Sequence, residues 1–309
     1  MIGILAALFL GWNLGANDAA NIFGIAVTNK IVKFWVAAIL SSCFVILGAV
    51  MGGKYGVETY QKISMQNDMK VAIIISFAAG ISVFIMTTLK IPVSTTHSVL
   101  AGLVAAGIFQ NKLNIAPLTK ILVSWFASPI GSMGLAYLIY RIYSHQIKKR
   151  IKNIFMLEKI VKIGILLVGI YGSYSLGANN VANVVGMFVN SEFFTMKSWL
   201  ILGGFSISLG IITYSKKVMS TVGSGIVKMD NVGALIALLS TAIIIHLYSL
   251  YGVPVSSSQA IVGSVIGIGM IEGIENIKIK VILKIVQGWF YSIAISGGLV
   301  FLILTVISG

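Results

Sequence analysis

The segment IGILAALFLGWNLGANDAANIFGIAV, residues 2–27, places an aspartate and three asparagines inside an otherwise apolar run. An apolar run of about 18 residues or more is long enough to cross the ~30 Å hydrocarbon layer of a bilayer as a helix. The whole chain of 309 residues is 58% hydrophobic and only 10% charged, which is more apolar than a water-soluble domain could bury. The composition therefore indicates an integral membrane protein.

Apolar runs of this length recur along the chain and predict an all-α integral membrane protein with about ten to twelve transmembrane or re-entrant helical segments. A β-barrel would instead show short strands of alternating hydrophobicity. The runs cover residues 2–27, 34–53, 71–89, 91–109, 118–140, 163–189, 198–215, 232–251, 253–271 and 281–307. The pattern leaves open whether 91–109 and 253–271 cross fully or enter and return on one side.

The formal net charge is +14. We interpret its lysines and arginines as markers of membrane topology and predict no nucleic-acid partner. Nearly all lysines and arginines fall between the apolar runs, where an excess of them marks cytoplasmic loops. The densest basic cluster runs from Arg141 to Lys162. We therefore predict a multi-pass protein of the cell (plasma) membrane, in contact with membrane lipid, whose central basic loop is cytoplasmic. If all ten runs cross, both termini lie outside.

The chain contains an internal repeat. GANDAAN at Gly15–Asn21 returns as GANNVAN at Gly177–Asn183, 162 residues later, and IPVSTTHSVLAG from Ile91 returns as VPVSSSQAIVGS from Val253 with the same shift. Each half holds five segments, and an odd number of crossings turns the second half over, which predicts two inverted-topology repeats. The predicted units are a first repeat over 1–143, a basic cytoplasmic loop over 144–162 and a second repeat over 163–309.

The first motif predicts a cation site. Three asparagines spaced four residues apart share one helix face, and Asp18 lies beside them; Asn180 takes the place of Asp18 in the second copy. A carboxylate deep in the membrane is costly unless a cation or a hydrogen-bond donor meets it. We expect the helices to unwind at Gly15 and Gly177, so that asparagine and backbone oxygens can hold Na⁺. The alternative is that the asparagines only join helices by hydrogen bonds.

The second motif predicts an anion cradle. Pro92 suits the first turn of a helix, and the three hydroxyl residues that follow from Ser94 lie beside backbone N–H groups that no helix carbonyl has yet bonded. The second copy repeats the pattern from Pro254. In an inverted repeat the two helix N-termini can face one central anion. Ordinary helix capping by serine and threonine is the alternative.

Charge balance predicts the coupling ions. A divalent oxyanion together with Asp18 carries about −3, and two helix N-termini return about +0.5 each, which leaves about −2. We therefore expect at least two Na⁺, or H⁺, to enter with each substrate ion. His97, which Gln259 replaces in the second half, could hydrogen-bond the anion or carry a proton, although an interior histidine is more often a satisfied polar residue.

The duplicated motifs, GANDAAN with GANNVAN and PVSTTH with PVSSSQ, resemble the signature of the inorganic phosphate transporter (PiT) family. The resemblance covers both halves and implies a secondary transporter that moves phosphate with Na⁺ or H⁺ by alternating access and is a homodimer. Carried onto this sequence, it implies that Asp18, Asn21, Asn180 and Asn183 lie near the coupling sodium ions, with Asn17 and Asn179 as further candidates. It implies that Ser94, Thr95, Thr96, Ser256, Ser257, Ser258 and Gln259 bind phosphate.

Two features leave the substrate and the coupling ions open. The family's second motif usually keeps its aspartate, whereas this chain has Asn180. Members of the family also carry sulfate, which differs from hydrogen phosphate mainly in lacking a P–OH donor; an acceptor at Asp18 or His97 would favour phosphate. A channel is one rival interpretation. The other is an intramembrane hydrolase that uses Ser94 or Thr96 with His97, but the repeat holds no second such pair, so we predict no enzyme.

Overall fold

The computed structural model describes residues 1–63, 68–150, 153–190, 194–225, 229–273, 275 and 277–308. Residues 151 and 152 of the predicted central loop lie outside this range. The described residues form twelve α-helices. They are α1 (Ile2–Asp18), α2 (Ala20–Thr28), α3 (Phe34–Gly52), α4 (Lys54–Ile63), α5 (Met69–Thr88), α6 (Thr95–Phe109), α7 (Ile115–Ile142), α8 (Ile154–Val185), α9 (Met196–Gly225), α10 (Asn231–Leu250), α11 (Ser257–Glu272) and α12 (Ile279–Ser308).

The helices confirm the prediction of an all-α membrane protein. Each of the ten apolar runs contains a helix, and seven helical stretches among the described residues are long and apolar enough to cross a membrane. The largest extensions beyond the predicted runs are in α8, which begins at Ile154, and in α9, which continues to Gly225. The apolar runs did not predict α4, a short helix whose buried residues Gly56, Val57, Tyr60 and Ile63 follow the helical period.

The runs 91–109 and 253–271 are only partly helical. α6 and α11 have 15 and 16 residues, about 22 to 24 Å at ~1.5 Å per residue, which is too short for a ~30 Å layer. Four residues outside any helix precede each of them, 91–94 and 253–256, and the last of the four, Ser94 or Ser256, has extended backbone. Each run is therefore divided into a non-helical first part and a helix.

Each of these half-helices packs antiparallel to the helix before it and forms a hairpin. Ile75, near the start of α5, packs on Gly102 in α6, and Ile268, near the end of α11, lies beside Gly233 at the start of α10. The tip of the first hairpin (89–94) turns at Lys90, with φ 58°, and the tip of the second (251–256) turns at Gly252, with φ 65°. These two positions are equivalent in the repeat.

The two halves pack through equivalent contacts. α1 crosses α9, and α3 crosses α8. A Cβ atom on Gly15 would lie 1.8 Å from the carbonyl oxygen of Ile207, and one on Gly177 would lie 2.1 Å from that of Val45, the same contact in the other half. Only glycine allows the backbones to approach this closely.

The helices that carry the two copies of the first motif run in opposite directions. Phe23 of α2 packs against Gly169 of α8, whereas Gly11, earlier in α1, lies near Val184, later in α8. Residue numbers therefore rise along α1–α2 as they fall along α8. An inverted-topology repeat predicts this antiparallel course.

The prediction that the helices unwind at Gly15 and Gly177 is wrong. Both glycines lie within α-helices. The only break at the first motif is Ala19, between α1 and α2, and α8 continues without a break through Asn180. The glycines serve the close helix crossings instead.

Candidate functional site

The candidate site lies where the first turns of α6 and α11 meet α1 and α8. Every residue that the sequence analysis assigned to the site is buried, including both copies of each motif. Ser94 and Ser256 cap the two half-helices: their Oγ atoms accept hydrogen bonds of 3.2 Å from the backbone N–H groups of His97 and Gln259. For these two serines, helix capping is the observed role.

Hydrogen bonds between the two halves hold the site together. Oδ2 of Asp18 accepts from Asn180 Nδ2 at 3.1 Å and from Ser257 Oγ at 3.2 Å. Asn21 Nδ2 donates to Ser257 Oγ at 3.0 Å, and Asn183 Nδ2 donates to a first-half hydroxyl, Thr96 Oγ1, at 3.1 Å. Asparagine side chains of each half therefore donate hydrogen bonds to hydroxyl groups of the other half.

Three oxygen atoms that the first half contributes to this site have no partner within hydrogen-bond geometry among the described residues. They are Oδ1 of Asp18, Oδ1 of Asn21 and Oγ1 of Thr95; the Thr95 hydroxyl lies close enough to the Asp18 carboxylate to interact with it. All three residues are at most 2% exposed, and a buried acceptor without a partner costs free energy. Carboxylate, amide and hydroxyl oxygens are ligands of hard cations, so this group fits a cation such as Na⁺.

Tyr60 of α4 is a site residue that the sequence analysis missed. Its hydroxyl, fully buried, donates a hydrogen bond to Oδ1 of Asn183. Oδ1 of Asn180 accepts from Asn179 Nδ2 at 2.7 Å and from Asn183 Nδ2 at 3.2 Å. The one available signal was the helical spacing of the apolar residues in α4, which points Tyr60 inward.

Asn17 and Asn179 form hydrogen bonds with the non-helical segments that precede α6 and α11. Oδ1 of Asn17 accepts from the backbone N–H of Val93 at 3.1 Å, and Oδ1 of Asn179 accepts from that of Val255 at 3.0 Å. Extended backbone inside a membrane needs partners for its polar groups. These asparagines supply such partners, and so hold α6 and α11 against α1 and α8.

Replacing Asn179 by alanine should lower the free energy of unfolding by about 1 to 3 kcal/mol, because it leaves a buried N–H without an acceptor. The measurement is thermal unfolding of the purified protein in detergent. Asn29→Ala, at an exposed position, is the control and should change the midpoint little. Equal midpoints for the two variants would show that this hydrogen bond contributes nothing.

A second polar cluster lies beside the cradle. The ring centroids of His97 and Trp125 lie 3.9 Å apart, with the rings tilted by 42°, and Trp289 donates from Nε1 to Ser258 Oγ at 3.1 Å. The side chains of His97 and Gln259 lie close enough to interact with each other. Four atoms here have no hydrogen-bond partner among the described residues: Nδ1 and Nε2 of His97, Oε1 of Gln259 and Nε1 of Trp125. The cluster therefore offers both acceptors and donors to a bound group.

No serine–histidine or threonine–histidine pair forms at the site. The hydroxyl of Ser94 accepts the backbone N–H of His97, and Thr96 bonds Asn183. Neither ring nitrogen of His97 bonds a hydroxyl within the described part of the chain. A nucleophile needs its base within hydrogen-bond reach, and these hydroxyls make other hydrogen bonds in this structure.

Known proteins resemble this chain over both of its halves. The family model of the phosphate transporter family matches residues 14–158 and again 146–300, one match for each half. The chain is 27% identical to a protein of Pyrococcus furiosus named "Putative phosphate permease", over 100% of this chain and 97% of that protein. It is 30% identical to the sulfate permease CysP of Bacillus subtilis, over 98% of this chain and 88% of that protein.

The fold also matches a solved structure, the sodium-dependent phosphate transporter. The TM-score is 0.83 at 26% sequence identity, and the match covers 99% of this chain and 98% of the other. The resemblance in the two duplicated motifs thus extends over the whole chain in sequence and in fold. The chain belongs to the phosphate transporter family.

Proposed function

We propose that this protein imports inorganic phosphate together with Na⁺, by alternating access to a site between its two halves. The observation that carries the proposal is the group of buried, unpartnered oxygens on Asp18, Asn21 and Thr95 at the N-terminus of a half-helix. A cation there would satisfy the oxygens and neutralise the carboxylate. Membership of a transporter family agrees with transport rather than catalysis.

The anion would lie between the first turns of α6 and α11. Each first turn presents backbone N–H groups without helical partners, and the positive end of each helix dipole favours negative charge. The hydroxyls for the anion are those of Thr95, Thr96, Ser257 and Ser258, with Ser94 and Ser256 shaping the turns as caps. Because the two helices come from different halves, relative movement of the halves would open the cradle to one side of the membrane at a time.

The choice of phosphate over sulfate rests on the polar cluster beside the cradle. Hydrogen phosphate carries a P–OH donor, which the acceptor atoms of Gln259 and neutral His97 can bond, whereas sulfate has only acceptors at neutral pH. A buried acceptor that faces an oxygen of sulfate repels it and keeps no hydrogen-bond partner. The similarity to a sulfate permease makes sulfate the second candidate substrate.

Gln259→Met should test this choice, since it keeps about the length of the side chain and removes its Oε1 acceptor together with its Nε2 donors. We expect the KM for phosphate to rise about tenfold, which corresponds to the loss of roughly one hydrogen bond to a charged partner. The inhibition constant of sulfate should change less, because sulfate cannot use the acceptor. Trp125→Phe, which removes a neighbouring donor, is the matched control. Equal weakening of both anions by Gln259→Met would mean that this residue does not distinguish them.

The topology, the repeat boundaries and the assembly complete the proposal. The basic segment 144–162 would be cytoplasmic, with both termini outside, and the repeats would cover 1–143 and 163–309. The antiparallel course of α1–α2 and α8 supports this division. A homodimer is what the resemblance to the family implies, and cross-linking in native membranes would test it.

The experiment that tests the function is uptake of radiolabelled phosphate into liposomes that contain the purified protein. An inward Na⁺ gradient should drive accumulation above the external concentration, which a channel cannot do, and unlabelled sulfate should compete weakly. Replacing the Na⁺ gradient by a pH gradient tests proton coupling, the alternative. Uptake that sulfate abolishes would make the protein a sulfate transporter, and uptake that follows only the pH gradient would make it a proton symporter.

A further inference from the structure

We infer that only the first copy of the duplicated motif holds a coupling cation, so that one Na⁺, and not two, accompanies each anion. The second copy has equivalent residues, but their oxygen atoms already form hydrogen bonds within the protein. This inference rests on the proposed function, because it assumes sodium-coupled uptake of phosphate. It concerns how many cations enter, which the function itself leaves open.

The comparison is between equivalent atoms. The shift of 162 residues pairs Asp18 with Asn180, Asn21 with Asn183, and Thr95 with Ser257. In the first copy, one oxygen of each residue is buried and has no hydrogen-bond partner among the described residues. Three unpaired acceptors of this kind in one small region are unusual in a folded protein, because each costs free energy. A cation that contacts all three oxygens would remove this cost.

Every equivalent oxygen in the second copy already has a partner. Oδ1 of Asn180 accepts two amide hydrogen bonds, of 2.7 Å and 3.2 Å. Oδ1 of Asn183 accepts from Tyr60. Oγ of Ser257 donates to Asp18 at 3.2 Å and accepts from Asn21 at 3.0 Å. A cation at this position would have to displace these donors, and it would meet no carboxylate.

Asn180 also stabilises the charge of Asp18, as a cation would. Its amide donates to Oδ2 of Asp18 at 3.1 Å, so the carboxylate meets a positive dipole on that side. A second carboxylate at position 180 would face the first at about this distance, and two such charges require a cation or a proton between them. The neutral amide removes that requirement. One Na⁺ then neutralises Asp18, and the two helix N-termini, about +0.5 each, offset about half the charge of a divalent anion. About −1 remains uncompensated, which differs from the two cations that the charge balance of the sequence predicts.

The ratio of ²²Na⁺ to ³²P-phosphate entering liposomes tests the inference, with the initial rate measured against Na⁺ concentration. We expect a ratio of one and a Hill coefficient of one for the wild-type protein. Asn180→Asp should raise both toward two at pH 8, because it restores a charged ligand. Tyr60→Phe, which frees Oδ1 of Asn183, should raise the affinity of the Asn180→Asp protein for Na⁺ further.

Several results would overturn the inference. A wild-type ratio of two or more would show that the second copy, or another site, also carries a cation. A ratio that stays at one in Asn180→Asp would show that Asn180 is not what excludes a cation from the second copy. If Asn180→Asp does not fold, the wild-type ratio alone decides. Sodium-independent uptake in the wild type would instead contradict the proposed function, and is therefore a distinct outcome.

Discussion

Asp18→Asn is expected to abolish sodium-driven accumulation of phosphate. Asp18 is the one acidic residue within the apolar runs, and its Oδ1 is the only charged member of the unpartnered oxygens in the described site. An asparagine can still accept the hydrogen bonds of Asn180 and Ser257, but it cannot neutralise a cation. Removing one partner of a buried charge pair costs about 2 to 5 kcal/mol, so the half-saturating Na⁺ concentration should rise at least roughly thirtyfold.

Two measurements separate a binding defect from a folding defect in this variant. Size-exclusion chromatography in detergent should give the wild-type profile, because the hydrogen-bond geometry is kept. Glu58→Gln, at an exposed site in an i,i+4 ion pair, is the control and should leave the Na⁺ dependence unchanged. An Asp18→Asn protein with wild-type Na⁺ dependence would remove Asp18 from the cation site and with it the observation on which the proposed function rests.

Gly15→Ala is expected to prevent the helices from packing. The new Cβ would lie 1.8 Å from the carbonyl oxygen of Ile207, and the obstacle is backbone rather than a flexible side chain. α1 and α9 would have to separate by more than 1 Å, which in a packed interior costs about 3 kcal/mol or more. Gly177→Ala should behave alike, since its Cβ would lie 2.1 Å from the oxygen of Val45.

The measurement is the yield of monodisperse protein and its unfolding temperature in detergent. Gly134→Ala is the matched control, because a Cβ at Gly134 meets no atom within 4 Å. Alanine also has the higher helix propensity, so the control should be neutral or slightly stabilising. Normal yield and stability of Gly15→Ala would mean that the crossing of α1 and α9 is looser than the structure describes.

The sequence predicted the parts of the fold that depend on local composition and on the repeat. Apolar runs located ten helices, and the shared shift between the motifs predicted equivalent halves. The hydropathy pattern could not find α4, because ten residues with several polar side chains form no apolar run. It also could not show that 91–94 and 253–256 are non-helical, since a non-helical segment and a helix can be equally apolar.

The sequence predicted which kinds of side chain form the site, but not which atoms hydrogen-bond to each other. Residue types identified the amides, hydroxyls and the one carboxylate. Which oxygens remain free depends on partners far away in the chain, such as Tyr60 for Asn183 and Ser257 for Asp18. The two motif copies therefore look nearly equivalent in sequence and differ in their hydrogen bonds.

The hydrogen bonds between the halves have a consequence for synthesis of the protein. Asn21 and its partner Ser257 are 236 residues apart. A ribosome adds about 5 to 20 residues per second, so roughly 12 to 47 s pass between the synthesis of the two. The carboxylate of Asp18 lacks both of its hydrogen-bond donors until Asn180 is made, 162 residues after it, and lipid cannot supply one. The nascent first half must therefore keep this face against water or against the insertion machinery until the second half arrives.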